Sequence, residues 1–239
     1  MVENRPWVTF FSHLILVLGV VVVAFPIYVA LIASTHSLET VLQGRVPLLP
    51  GGHFIENYKE VLINGIGASS SPPISLMLFN SLVMALVICI GKIAISIIAA
   101  YAIVYFQFPL RMTCFWLIFI TLMLPVEVRI LPTYKVVADL SLINTYAGLS
   151  LPLIASATAT LLFRQFFLTI PDELVDAAKI DGAGPWRFLV DTVIPLSKTN
   201  IAALFVILFI YGWNQYLWPL LVTDSPRMTT IVIGIRQMI

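Results

Sequence analysis

Long apolar runs alternate with polar segments along this chain. Five runs reach the roughly 20 apolar residues that a membrane-crossing helix needs: 14–33, about 78–102, about 113–131, 140–163 and 200–222. They predict five transmembrane helices and an all-α integral membrane fold. Gly19 and Pro26 fall inside the first run, where neighbouring helices can satisfy the backbone groups they free. The last two runs carry no charge, whereas Lys92 lies inside the second and Glu127 and Arg129 stand near the end of the third. Trp7, Tyr101, Tyr105, Trp116 and Trp218 fall near run ends, as expected of amphipathic rings at the headgroup level. No Asp, Glu, Lys or Arg separates His13 from His36. That stretch exceeds the about 7–15 apolar residues of a signal-peptide core, so the first run is expected to be a retained span.

The polar segments differ in kind. Residues 34–75 form a long connection with Gly-Gly, Ser-Ser-Ser and Pro-Pro turn signals. Residues 103–112 are a short connection holding Arg111, and 223–239 read as a loop followed by a weak apolar scrap at 231–235. The composition fits a membrane protein: 60% of residues are hydrophobic and the mean hydropathy is +1.01. Only 10% are charged, against about 25% in a soluble domain. A net charge of +1 gives no support to nucleic-acid binding. Cys89 and Cys114 both lie in apolar runs and read as packing residues rather than a disulfide. Lysine and arginine divide almost evenly between alternate connections, so charge alone does not orient the chain.

One segment breaks the pattern. The chain has only 13 basic and 12 acidic residues, yet Asp172, Glu173, Asp176, Lys179, Asp181, Arg187 and Asp191 all fall within 171–195. Pro171 followed by acids suits a helix start. Gly182 suits its end in the left-handed conformation, and Pro185 suits the start of a second helix leading to Pro195. Leu174, Ala177, Ala178 and Asp181 share a face by helical spacing. Small residues on a short helix let another protein approach closely, and the surrounding charges can fix its orientation. On the residues alone, a solvated connector is the preferred reading of the segment.

The spacing Asp176-Ala177-Ala178, three residues, Gly182, nine residues, Thr192-Val193-Ile194-Pro195 resembles the Glu-Ala-Ala loop of permease subunits of binding-protein-dependent ABC importers. Asp176, Thr192 and Ile194 replace that pattern's Glu, Ile and Leu. Trp213-Asn214-Gln215-Tyr216-Leu217-Trp218-Pro219-Leu220 resembles the fifth-span signature of the sugar-importer class. The segments ENRPW (3–7), FITLMLPVEVRI (119–130), ATATLLFRQFF (157–167) and PLSKTN (195–200) look like permeases of sn-glycerol-3-phosphate importers. The resemblance implies one transmembrane permease domain over 1–239, in the bacterial inner membrane. It makes 169–198 a cytoplasmic coupling loop and 34–75 a periplasmic loop. Asp176, Ala177, Ala178, Asp181, Gly182 and Pro195 become the ATPase-coupling residues. The implied partners are a second permease subunit, an ATPase dimer and a periplasmic substrate-binding protein. The implied cargo is sn-glycerol 3-phosphate or glycerophosphodiesters, with a maltose-like or other sugar as the alternative. Such permeases have six spans, so five visible runs leave the expected sixth missing.

The sequence has no phosphate-cradling G-x-x-x-x-G-K-[ST] loop, because Gly91-Lys92 is followed by Ile93 and lies in a span. His-Glu-x-x-His and Gly-x-Ser-x-Gly are absent as well, and His13, His36 and His53 are scattered. The chain is therefore expected not to be an enzyme and to carry no cofactor or metal of its own. An ATP-independent carrier or membrane enzyme, the reading from another class, lacks a reactive constellation or inverted repeats. Charges inside spans face cavities or partners. Lys92 thus attracts a phosphate-bearing cargo or pairs with another helix, and Arg129 pairs or reaches the interface. Asn80, Asn214 and Gln215 contact cargo hydroxyls or bridge helices. Lys92, Asn80, Asn214 and Gln215 are the candidate translocation path.

Overall fold

A computed structural model describes residues 6–44, 47–65, 72–121, 124 and 126–237, with the side chains of Val126 and Glu127 outside that description. Every regular element among them is helical. The chain packs as two compact units, 1–68 and 69–239.

The first unit holds α1 (Pro6–Ala33), α2 (Leu38–Leu42) and α3 (Phe54–Ile63). α1 contains the first predicted span and passes Pro26 without ending. Its only buried residue is Ile32, so its stability rests on backbone hydrogen bonding within the helix and on apolar surroundings. The described residues of 34–65 in the long connection form a cap folded on the C-terminal end of α1. Asn57 Nδ2 donates to Ser34 O at 3.0 Å and His36 O at 2.8 Å. Gly51 N donates to Thr35 Oγ1 at 2.7 Å, and Tyr58 pairs with Ser34 Oγ at 3.1 Å. These bonds satisfy polar groups at and just beyond a helix end that has no further turn to use them.

The second unit is organised on α4 (Ile74–Tyr105), which opens after Pro72-Pro73 and ends at the extended Phe106. After it come α5 (Arg111–Ile120), α6 (Val126–Asp139), α7 (Tyr146–Ser150) and a 3-10 turn, Leu151–Leu153. α8 (Ala157–Phe167), α9 (Asp172–Ile180) and α10 (Pro185–Phe188) follow, then a π-helical turn, Leu189–Val193, and α11 (Ile194–Leu196). The chain closes with α12 (Lys198–Trp213), α13 (Leu217–Val222), a 3-10 turn at Pro226–Met228, and α14 (Ile231–Gln237). α8 and α12 both pack on α4. Cys89, Ile93, Ile97 and Ala100 of α4, Ala159, Phe163 and Phe167 of α8, and Leu204 and Leu208 of α12 share one core. Gly212 permits the close approach of α12: a Cβ there meets Ala85 Cα at 3.0 Å. A second core joins Met84 and Ile88 to Ile130, Val137, Leu149, Trp218 and Val222.

The predicted spans are redrawn in part. Among the described residues two helices, α1 and α4, are long and apolar enough to cross a membrane, or up to four segments if each bent pair counts as one. The third run is divided between α5 and α6, with 122–123 and 125 outside the described residues. The fourth is bent by 49° between the α7 segment and α8, where Ser156 caps α8 through Ala159 N at 3.2 Å. The fifth ends as a helix at Trp213, and Asn214–Tyr216 separate it from α13. Cys89 and Cys114 are both free.

The scrap at 231–235 is not loose. α14 packs against α4, Ile231 and Ile233 are buried, and Ile231 N donates to Ser81 Oγ at 2.8 Å.

Candidate functional site

The charged segment folds as the local pattern predicts. Pro171 is the residue before α9, and Asp172 and Glu173 occupy its first turn, where the helix dipole favours negative charge. Gly182 ends it at φ +69°. Gly182 N donates to Lys179 O at 3.1 Å, and Ala183 N donates to Ala178 O at 2.8 Å. This paired pattern satisfies the last carbonyls and reverses the chain. Pro185 starts α10. Pro195 lacks the N–H that the Asp191 carbonyl would accept, and the helix widens to a π turn just before it. The Pro185–Leu196 segment meets α12 at 74°.

Two faces of α9 separate clearly. Ala177, Ile180, Asp181 and Gly182 are exposed, as is Trp186 beyond the elbow at 69%. Ala178, which helical spacing grouped with Leu174, Ala177 and Asp181, is half-buried and packs with Val175 on the α4 core. A small side chain at this position lets α9 lie close to the layer beneath. Asp176 pairs with Lys179 at 2.9 Å and Arg187 with Asp191 at 3.2 Å. These surface pairs contribute little to stability.

The elbow is moored to α4 by aromatics that the sequence marked only as belt residues. Tyr101 OH donates to Pro185 O at 2.6 Å. Tyr105 OH donates to Phe167 O at 3.3 Å, and its ring meets Phe188 edge-on with centroids 5.3 Å apart. A cavity of about 200 Å³ lies between Tyr101, Tyr105, Phe106, Ala178 and Phe188.

Nine residues before Tyr101 on α4, Lys92 is 6% exposed. Its Nζ stands 3.7 Å from the centroid of the Tyr211 ring of α12, an attraction worth about 2 kcal/mol when desolvated. Among the described residues Lys92 has no carboxylate partner. It lines a cavity of about 580 Å³ with Arg129, Ser156, Thr160 and Tyr211, and an adjoining one of about 150 Å³ with Arg129, Thr133, Gln215 and Tyr211. Gln215 Nε2 donates to Tyr211 O at 3.2 Å. Tyr211 escaped sequence reading because a tyrosine in an apolar run signals nothing until its neighbour across the helix interface is known.

The other predicted path residues separate. Asn80 is fully buried and wholly committed: Nδ2 donates to Arg227 O at 2.9 Å and Thr229 O at 3.0 Å, and Oδ1 accepts from Tyr146 OH at 2.6 Å. It bridges α4 to the C-terminal segment and lines neither cation-bearing cavity. Asn214 caps the end of α12 and is exposed. The side chain of Glu127 lies outside the described residues.

Residues 92–239 match the family model described as binding-protein-dependent transport system inner membrane component. Over all 239 residues, the chain is 62% identical to the sn-glycerol-3-phosphate transport system permease protein UgpE of Agrobacterium fabrum (strain C58 / ATCC 33970). It is 60% identical to that of Brucella abortus (strain 2308) and 59% to that of Escherichia coli (strain K12). In each case all of this chain and 85% of the relative are covered. A solved chain of a bacterial ABC transporter involved in the import of the acidic polysaccharide alginate shares the fold. Its TM-score is 0.82 at 21% identity, over 100% of this chain and 82% of that one.

Proposed function

The chain belongs to the binding-protein-dependent transport system inner membrane components, and from that premise we propose that it moves sn-glycerol 3-phosphate across the inner membrane as the transmembrane subunit of an ATP-driven importer. Relatives about 60% identical over the whole chain carry that cargo in their names, which supports the assignment.

A second permease subunit completes the pathway, an ATPase dimer supplies the energy, and a periplasmic binding protein delivers the cargo. The observation that carries the mechanism is the exposed α9 elbow moored to α4 through Tyr101 and Pro185. Ala177, Asp181 and Gly182 present a small, charged-edged surface to the ATPase. Asp176 fixes the approach, Ala178 seats the helix, and Pro195 sets the turn below. Closure of the ATPase dimer pushes the elbow. The push passes to α4 through the tyrosine hydroxyl and the packed rings, because close-packed side chains transmit displacement. Lys92 lies roughly 14 Å further along the same rigid helix, at about 1.5 Å per residue. Lys92 and Gln215 line the path near the reacting end of that motion, while Asn80 and Asn214 hold its walls.

The test is ATP hydrolysis by the complete complex in lipid. Its binding protein is supplied empty, loaded with glycerol 3-phosphate, or replaced by a maltose-loaded homologue. Stimulation by the glycerol-3-phosphate form alone is expected. Stimulation by the maltose form keeps the importer and replaces the cargo, and no assembly with an ATPase refutes the coupling role. Gly182→Trp is expected to abolish stimulated hydrolysis or uncouple it from uptake, so normal uptake by that variant counts against docking at the elbow.

A further inference from the structure

We infer that Lys92 and Arg129 form a phosphate-monoester subsite within this subunit, one that selects the anionic end of the cargo during passage. The inference rests on the importer reading above and adds to it a binding site with named residues.

Three observations carry it. First, Lys92 is a nearly buried cation that sits over the neutral face of Tyr211. A ring quadrupole offsets part of the cost of burying an ammonium, but it supplies no counter-charge. Buried cations inside a membrane protein face a partner or an aqueous path. Here the described residues offer no carboxylate partner. Second, Arg129 lines both of the cavities that Lys92 lines, and neither has an aspartate or glutamate among its described lining residues. Two cations around one space, with no anion among the described lining residues, make a field that attracts negative charge. A guanidinium also matches phosphate oxygens with paired donors, and an ammonium adds a compact point charge. Third, the larger cavity, about 580 Å³, falls within the roughly 300–1,000 Å³ typical of small-molecule sites. The adjoining one offers groups for hydroxyls. Gln215 commits its Nε2 to Tyr211 O, which leaves its carbonyl oxygen as an acceptor, and the Thr133 hydroxyl in the same lining, donated to Arg129 O at 2.7 Å, can still accept.

A phosphate monoester can arrive as soluble cargo or as a lipid headgroup, and the experiment separates the two. Ala155 lines both cavities. In a complex with Cys89 and Cys114 replaced by alanine, Ala155→Cys places a reporter thiol in the site. Its reaction rates with an anionic and a cationic alkylthiosulfonate of equal size are measured in proteoliposomes made with and without anionic lipid. Both rates are normalised to those of a small free thiol. The anionic reagent is expected to react faster by roughly tenfold, the scale on which a charged cleft concentrates counter-ions. Lys92→Met should remove or reverse that preference, Arg129→Gln should reduce it, and Lys92→Arg should restore it. Glycerol 3-phosphate, and inorganic phosphate more weakly, should protect the thiol, whereas glycerol should not.

Equal rates for the two reagents, or protection by glycerol as strong as by its phosphate, overturn the subsite. So does a preference that follows the lipid composition and ignores glycerol 3-phosphate, which identifies a lipid phosphate as the occupant. The protection arm keeps both cations, so it stands even where Lys92→Met fails to assemble. Uptake by the complex with native Lys92 separates the two levels. Uptake with charge-blind labelling refutes the subsite alone. Anion-selective labelling without uptake of glycerol 3-phosphate refutes the cargo assignment and leaves an anion site.

Discussion

α1 and α4 carry almost the same sequence signal and pack differently within their own units. Their best apolar windows have mean hydropathies of 3.0 and 2.7, yet 6% of the first window is buried and 39% of the second. The difference lies in the few polar and small residues, not in the apolar majority. Between His13 and Ser34, α1 offers neighbours only apolar side chains, Gly19 and the Tyr28 hydroxyl, and that hydroxyl binds Leu48 O within its own unit. α4 buries Asn80, Ser81, Lys92 and Ser96, and three of them bond to other segments: Asn80 to Arg227 O, Ser81 to Ile231 N, and Ser96 to Ser156 O. Lipid tails are as apolar as leucine, so hydropathy does not choose between lipid and protein neighbours. Polar groups and close backbone contacts do, because they have no substitute partner in hydrocarbon.

The comparison breaks most visibly at Asn80. Asn80→Leu removes three hydrogen bonds and strands two carbonyls, and is expected to destabilise the purified complex by about 3 kcal/mol. Thermal unfolding in detergent, with proteolysis of the 223–237 segment as a local readout, checks this. A loss below 1 kcal/mol would deny Asn80 its bridging role. Gly212→Val comes next, at about 2 kcal/mol from overpacking against Ala85, seen as a lowered unfolding midpoint that Gly212→Ala reproduces more mildly. Tyr101→Phe keeps the ring and loses the bond to Pro185 O, worth about 1 kcal/mol. Its specific signature is a fall in cargo taken up per ATP hydrolysed, larger than its effect on unfolding. The smallest effect belongs to α1. Val21→Leu should move stability by less than about 0.5 kcal/mol, as surface changes do. A larger loss would reveal a protein neighbour for α1 in the assembled complex.

The charged elbow was legible because its determinants are local. Acids after Pro171, glycine at a positive φ and Pro185 at a helix start act within a turn of themselves. Ala178 shows where local reading stops. Spacing puts it on the face of Ala177, but whether that face meets solvent or Val175's neighbours depends on how the α4 layer lies beneath. The 231–235 scrap failed for the same reason: seven residues are too few for an isolated helix, and α14 depends on tertiary partners such as the Ser81 hydroxyl, the α4 surface and the Tyr216 ring under Arg236.

By itself the sequence determined that this chain lives in a membrane, where its two longest helices run, and where the elbow bends, since transfer of apolar surface and backbone preference need no distant partner. The tertiary structure decided which polar residues are locked and which are left free. Asn80 and Lys92 lie twelve residues apart on one helix with equal claim to a transport path. Asn80 meets two carbonyls and a tyrosine hydroxyl and is satisfied. Lys92 meets the aromatic face of Tyr211 beside a second cation, with no carboxylate partner among the described residues.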